Sequence, residues 1–109
     1  MAKVLSRQLR HVITLQAPVR TRSNDGQSQT TWADKATVRA YIEPLSGREF
    51  FRAEQMQVSV SHRVTLRSHP GITPDWRFVF SGRVFHIASA RSTDNERGQW
   101  IELMCEEVQ

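Results

Sequence analysis

The sequence predicts a small, mainly β domain: an antiparallel barrel or sandwich with one short α-helix and a projecting hairpin or long loop. Three observations lead there. In segment after segment apolar residues recur at every second position, the period of strands with one face buried. Turn-forming clusters at Asn24-Asp25-Gly26, Ser81-Gly82 and Asp94–Gly98 separate these segments at hairpin-like intervals. Only one stretch, opening at Ser46, carries helix-start chemistry.

The chain has 109 residues, enough for one modest core and too few for two. Residues 1–8 show no clear period and carry Lys3 and Arg7, so they read as an arm in front of a single domain over residues 9–109. Leu9, His11, Ile13 and Leu15 alternate with polar or solvent-side positions and give a first strand, ended by Pro18. Val19–Ser23 and Gln27–Trp32 are threonine-rich and extended around Asn24-Asp25-Gly26. Few of these side chains suit a core, so this hairpin is expected to project. Ala33–Ala36 reads as a short connection, and Val38, Ala40 and Ile42 alternate until Pro44.

Ser46 and Glu49 then form a capping box, each side chain positioned to satisfy the other's free backbone N–H, while Leu45 and Phe50 fit a hydrophobic staple. A helix of about two to three turns is too short to stand alone and must dock. From Met56 to Arg67 the period changes to two, with Met56, Val58, Val60, His62, Val64 and Leu66 on one face. That pattern predicts one strand roughly 40 Å long, about twice the usual length. Ser68–Asp75 is a loop by its Pro70, Gly71 and Pro74. Trp76–Phe80 and Arg83–Ala90 make a second hairpin around Ser81-Gly82. Its second arm buries either Phe85 and Ile87 or Val84 and His86, a choice the pattern leaves open. Ile101, Leu103 and Cys105 define a last strand, bringing the expected number to about seven.

Composition narrows the class further. Hydrophobic residues make up 39% and charged residues 24%, a globular balance. No apolar run approaches the roughly 18 residues of a membrane span, so no membrane partner is expected. The first residues lack the apolar stretch of a secretory signal, and the lone Cys105 allows no internal disulfide. Both point to synthesis in the cytoplasm. Thirteen of the fifteen basic residues are arginine, the side chain suited to forked contacts with phosphate or carboxylate. Residues 1–40 carry a net +5 and residues 92–109 a net −4. Such a basic front and acidic tail would attract successive copies head to tail.

Catalytic patterns are missing from the sequence. No two of His11, His62, His69 and His86 lie within five residues of each other, and none has a ligand at a usual metal spacing. There is no nucleophile motif, no glycine-rich phosphate loop and no poised carboxylate pair. Neither an enzyme nor a bound cofactor is expected. Binding is better supported. Phe50 and Phe51 lie about 100° apart on a helix, too wide for one narrow buried stripe, and Arg48 and Arg52 share a face. An oligonucleotide-binding barrel is the competing idea, but the strand faces show arginine and serine where stacking aromatics would be needed.

L-R-H-V-I-T-L-Q (9–16), D-G with T-T-W (25–32), and V-R-A-Y-I-E-P-L-S-G-R-E-F-F-R-A-E-Q (38–55) resemble the tailed-phage head–tail joining family. Its members are also called head-completion, head-closure or stopper proteins. R-F-V-F-S-G-R-V-F-H-I (77–87) and I-E-L-M-C-E-E (101–107) continue the likeness in order. The resemblance implies a small β-barrel in the neck of the virion, in a homo-oligomeric ring of twelve copies, with six as the alternative. It further implies a portal protein above, a tail protein below and non-specific contact with double-stranded DNA in the channel. Ser46, Gly47, Arg48, Glu49, Phe50, Phe51, Arg52 and Gln55 would then face the lumen or a neighbouring subunit. Arg22, Asn24, Asp25, Gly26 and Trp32 would sit on the hairpin that meets an adjacent ring. A tail-side adaptor such as a tail terminator is the alternative within the same resemblance.

Overall fold

The computed structural model describes residues 8–47, 60–67, 71–95 and 98–108. They form strands β1 (His11–Arg22), β2 (Ser28–Pro44), β3 (His62–Arg67), β4 (Arg77–Phe80), β5 (Arg83–Asn95) and β6 (Gly98–Val108). All neighbours pair antiparallel. They close in the order β1-β2-β3-β6-β5-β4, so the fold is a barrel and not a sandwich. Of the expected strands, six are present among the described residues.

Alternation dictates the core. Ile13 and Leu15 of β1, Ala40 of β2, Val64 and Leu66 of β3, Phe78 of β4, Phe85 and Ile87 of β5, and Leu103 and Cys105 of β6 all point inward. Phe78 stacks on Phe85 with centroids 4.7 Å apart. This settles the register left open above: Phe85 and Ile87 are buried, whereas His86 is exposed. The β4–β5 turn is of type I′, with φ of 50° at Ser81 and 78° at Gly82. Both central residues must be left-handed for the turn's twist to match the strands.

Three sequence expectations are corrected. Pro18 does not end the first strand; it pairs with Trp32 inside β1. β4 pairs with β1 only at Thr14–Gln16, so beyond that point no strand among the described residues lies along that edge of β1, and the absent N–H leaves no ladder bond unmade. Ala33–Ala36 is not a connection. It lies within β2, where Leu15 faces Ala36 and Gln16 faces Asp34, leaving Lys35 as the extra residue of a bulge. A turn and a bulge draw on the same small and polar residues, so composition alone does not separate them. The predicted long strand is also shorter, since Val60 and Ser61 are irregular and β3 begins at His62. Ser61 instead donates its N–H to the Cys105 carbonyl (2.8 Å) and accepts from Leu45 N–H (3.0 Å). The chain turns helical at Gly47, and the rest of the expected helix, with the strand start at Met56, lies outside the described residues.

The longest strand is therefore β2, at 17 residues. At about 3.3 Å per residue it runs the length of the molecule, whose long dimension is 51 Å. Up to Arg39 it pairs with β1 alone, at Ala40 with both neighbours, and from Tyr41 to Pro44 with β3. β5 behaves similarly, with β4 beside it only to His86 and β6 along its whole length. The pairing directions send both two-stranded ribbons, β1/β2 and β5/β6, out of the same end of the barrel. β3 ends and β4 begins at that same end, on opposite sides of the barrel.

Candidate docking surfaces

The β1/β2 ribbon turns through Ser23–Gln27. Gly26 N–H donates to Ser23 O (3.0 Å), Ser23 N–H donates to Gln27 O (2.9 Å), and Gly26 has φ of 84°. That is a tight turn closed by a left-handed glycine, as the Asn24-Asp25-Gly26 signal predicts. The Ser23 hydroxyl and the Gln27 N–H both donate to the Asp25 carboxylate, which holds its pKa below the usual carboxylate value. From Val19 to Thr31 every side chain except Ser23 is exposed. Arg22, Asn24, Asp25 and Gly26 thus stand together at the outer tip.

Trp32 is placed differently. Its indole lies at the base of the ribbon, half-buried, with the Arg77 guanidinium 4.3 Å from the ring centroid. The His86 ring meets it edge-on at 6.0 Å. Arg77 Nε also donates to Gln16 Oε1 (2.7 Å), and Gln16 Nε2 donates to Asp34 Oδ1 (2.8 Å). These contacts join β2, β1, β4 and β5 across the outer face and brace the ribbon against the barrel. Nothing in the local sequence marks this brace, because Gln16 and Arg77 are 61 positions apart. Trp32→Ala should leave the barrel folded and free the ribbon. The expected result is a melting temperature lowered by a few degrees together with faster trypsin cleavage at Arg20 and Arg22.

The other end of the barrel carries the feet of residues 46–60. Ser46 and Gly47 are exposed at the first foot. Arg48, Glu49, Phe50, Phe51, Arg52 and Gln55 lie outside the described residues. β2 begins at the ribbon turn and ends at the first foot, so Ser46 and Gly47 stand at the opposite pole from Arg22, Asn24, Asp25 and Gly26. Ser61 ties the second foot down. Its hydroxyl accepts from Glu107 N–H (3.0 Å) and lies 2.8 Å from His62 Nδ1, a separation suited to donation into a neutral imidazole. The His62 ring packs edge-on against Phe85 at 5.1 Å. Burial, opposed by the charge of Glu107 and aided by that of Arg83, holds the His62 pKa below its ordinary 6.5. Arg83 and Glu107 form a two-pronged ion pair at 2.7 and 2.8 Å at the same rim.

The sign of the resulting pH effect follows from linkage. A histidine whose pKa is lower in the folded state takes up its proton first in the unfolded chain. Stability is then full above pH 6.5 and is lost as pH falls below that value. The melting temperature should decline between pH 7 and pH 5, and the decline should flatten in His62→Gln, as read by thermal melts across that range. An identical slope in both proteins would remove His62 as its source.

Among the described residues no group of three or more His, Cys, Asp or Glu is arranged to hold a metal. Cys105 is fully buried, and desolvation pushes its thiol pKa far up, the opposite of a reactive cysteine. The described residues present a closed barrel with a braced projecting ribbon at one pole. The chain matches the phage head completion protein family over residues 5–108, and it belongs to that family. The family is one of structural proteins of the phage particle, not of enzymes.

Individual relatives agree. The head completion protein gp16 of Bacillus phage SPP1 is 26% identical over 73 residues, 67% of each chain. The solution structure of protein SF1141 from Shigella flexneri 2a is similar at a TM-score of 0.72. It shares 26% identity with this chain, over 92% of this chain and 93% of that one. A chain from the virion of a native gene transfer agent particle shares the fold at a TM-score of 0.62, with 23% identity over 92% and 96% of the two chains.

Proposed function

We propose that this protein is a head-closure subunit of the phage neck. Copies form a homo-oligomeric ring beneath the portal, help to retain packaged DNA and present the surface on which the tail docks. The observation that carries this reading is the family match over nearly the whole chain, and the two-poled shape supports it. One pole carries Arg22, Asn24, Asp25 and Gly26 on a braced ribbon suited to an adjacent ring. Ser46 and Gly47 stand at the other. In this reading Arg48 and Arg52 of the segment that follows, up to Gln55, would face DNA or a neighbouring subunit, while Phe50 and Phe51 would pack at a joint. DNA must slide past such a ring, so diffuse positive charge serves better than base-reading contacts.

Deleting the gene from its phage tests the reading. Head closure predicts heads that fill, leak their DNA and lack tails. Free heads that keep their DNA would place the protein on the tail side, as a terminator-like adaptor. Normal, tailed, infectious particles would end both versions.

A further inference from the structure

We propose that neighbouring copies join edge to edge, with the outer edge of β2 over Ser28–Asp34 pairing antiparallel with the outer edge of β5 over Ser89–Asn95 of the next copy. The inference rests on the ring reading above and names its joint.

Four ribbon edges leave the barrel, and they are not equivalent. β2 gains β3 as a partner only from Ala40, and β5 loses β4 after His86. Among the described residues, the outer edges of Ser28–Arg39 and of Ala88–Asn95 therefore have no strand beside them. Each is interrupted near the barrel by a bulge, at Lys35 in β2 and at Ala88 in β5. Bulges and lysine are common guards against unwanted pairing. Beyond each bulge runs a stretch of seven residues free of proline, lysine and further irregularity. The other two edges offer less. Strict alternation from the Ser23–Gln27 pair places Pro18 and Trp32 in a non-hydrogen-bonded pair. The proline nitrogen thus faces outward and blunts β1. β6 extends past its last β3 partner, at Trp100, by only Gly98 and Gln99.

Direction and orientation fit a repeating joint. The closed strand order sets the two ribbons on opposite sides of the barrel. The β2 edge faces the β3 side and the β5 edge faces the β4 side, so the two look in opposite directions. Both ribbons leave the same pole, with β2 running toward the barrel and β5 away from it. Copies standing the same way up therefore bring these edges together as antiparallel strands. Each copy uses one edge to its left and a different one to its right, the heterologous kind of contact that a ring requires. A β2 edge paired with another β2 edge would stop at two copies.

The test uses the full-length chain carrying Thr31→Cys and Ser92→Cys, which stand opposite each other when Ser28–Asp34 lies antiparallel to Ser89–Asn95. Cys105 is buried and its thiol stays protonated, so the introduced sulfurs alone should react with a short bismaleimide. The double variant should give a ladder of covalent oligomers and each single variant only monomers. Covalent dimers of the Thr31→Cys single variant would mean that β2 pairs with itself and would overturn the proposal. Rings visible by electron microscopy without a ladder would overturn the joint while leaving the ring. Absence of any ring, in particles as well as in the purified protein, would overturn both.

Thr30→Pro provides an independent arm. Thr30 faces Arg20 in a non-hydrogen-bonded pair, so its N–H points to the outer edge and the β1 ladder does not use it. Association at each joint should weaken on the order of tenfold, with the circular dichroism spectrum and melting temperature retained. Unchanged assembly would count against the edge.

Discussion

Phe85→Ala should lower the stability of the isolated domain by about 3–5 kcal/mol. Phe85 has no exposed surface, stacks on Phe78 at 4.7 Å and receives the edge of His62 at 5.1 Å. Truncation removes the transfer energy of a ring and leaves a cavity where β4, β5 and β3 converge. A domain of this size is held by only about 5–15 kcal/mol in total, so a large share of the molecules would be unfolded in mild denaturant. Urea melts read the change from the midpoint at constant slope. A loss under about 1 kcal/mol would show that the site collapses around the missing ring and that the stacked pair does not anchor the barrel.

Excising the outer ribbon should have the opposite profile. Val19 and Thr31 are paired, and alternation from the turn makes theirs a hydrogen-bonded pair. Replacing Arg20–Thr30 with Asn-Gly should therefore close the shortened hairpin with a type I′ turn. All core residues remain, and the melting temperature should stay within a few degrees of the parent. Phage carrying the deletion should lose infectivity by orders of magnitude, because the surface proposed to meet an adjacent ring is gone. Plaque titres at the parental level would remove the ribbon from assembly.

Much of this architecture was legible in the residues. Two-residue periodicity located the strand cores at Ile13 and Leu15, Val64 and Leu66, and Leu103 and Cys105. The glycine-bearing turns at Gly26 and Gly82 gave two of the hairpins, because a left-handed backbone narrows the choice of residue sharply. What failed to show were features decided by partners distant in sequence. Pro18 reads as a breaker until one sees that β4 ends before it and leaves that edge of β1 unpaired. Lys35 reads as loop until its neighbours Asp34 and Ala36 are placed opposite Gln16 and Leu15. The brace of Trp32 on Arg77 follows from barrel closure, which no local pattern reports. As for the proposed contact residues, no local pattern showed that Ser46 and Gly47 stand at the pole opposite Arg22, Asn24, Asp25 and Gly26.

That polarity has a mechanical side. Because β2 is one unbroken strand from the ribbon turn to Pro44, tension between the two ends is carried along a continuous covalent backbone. The hydrogen bonds flanking it lie across the pull, so they are loaded together in shear and cannot be peeled open one after another. A thin-walled module of modest thermodynamic stability would on this basis resist being drawn apart lengthwise far better than being pried open from the side.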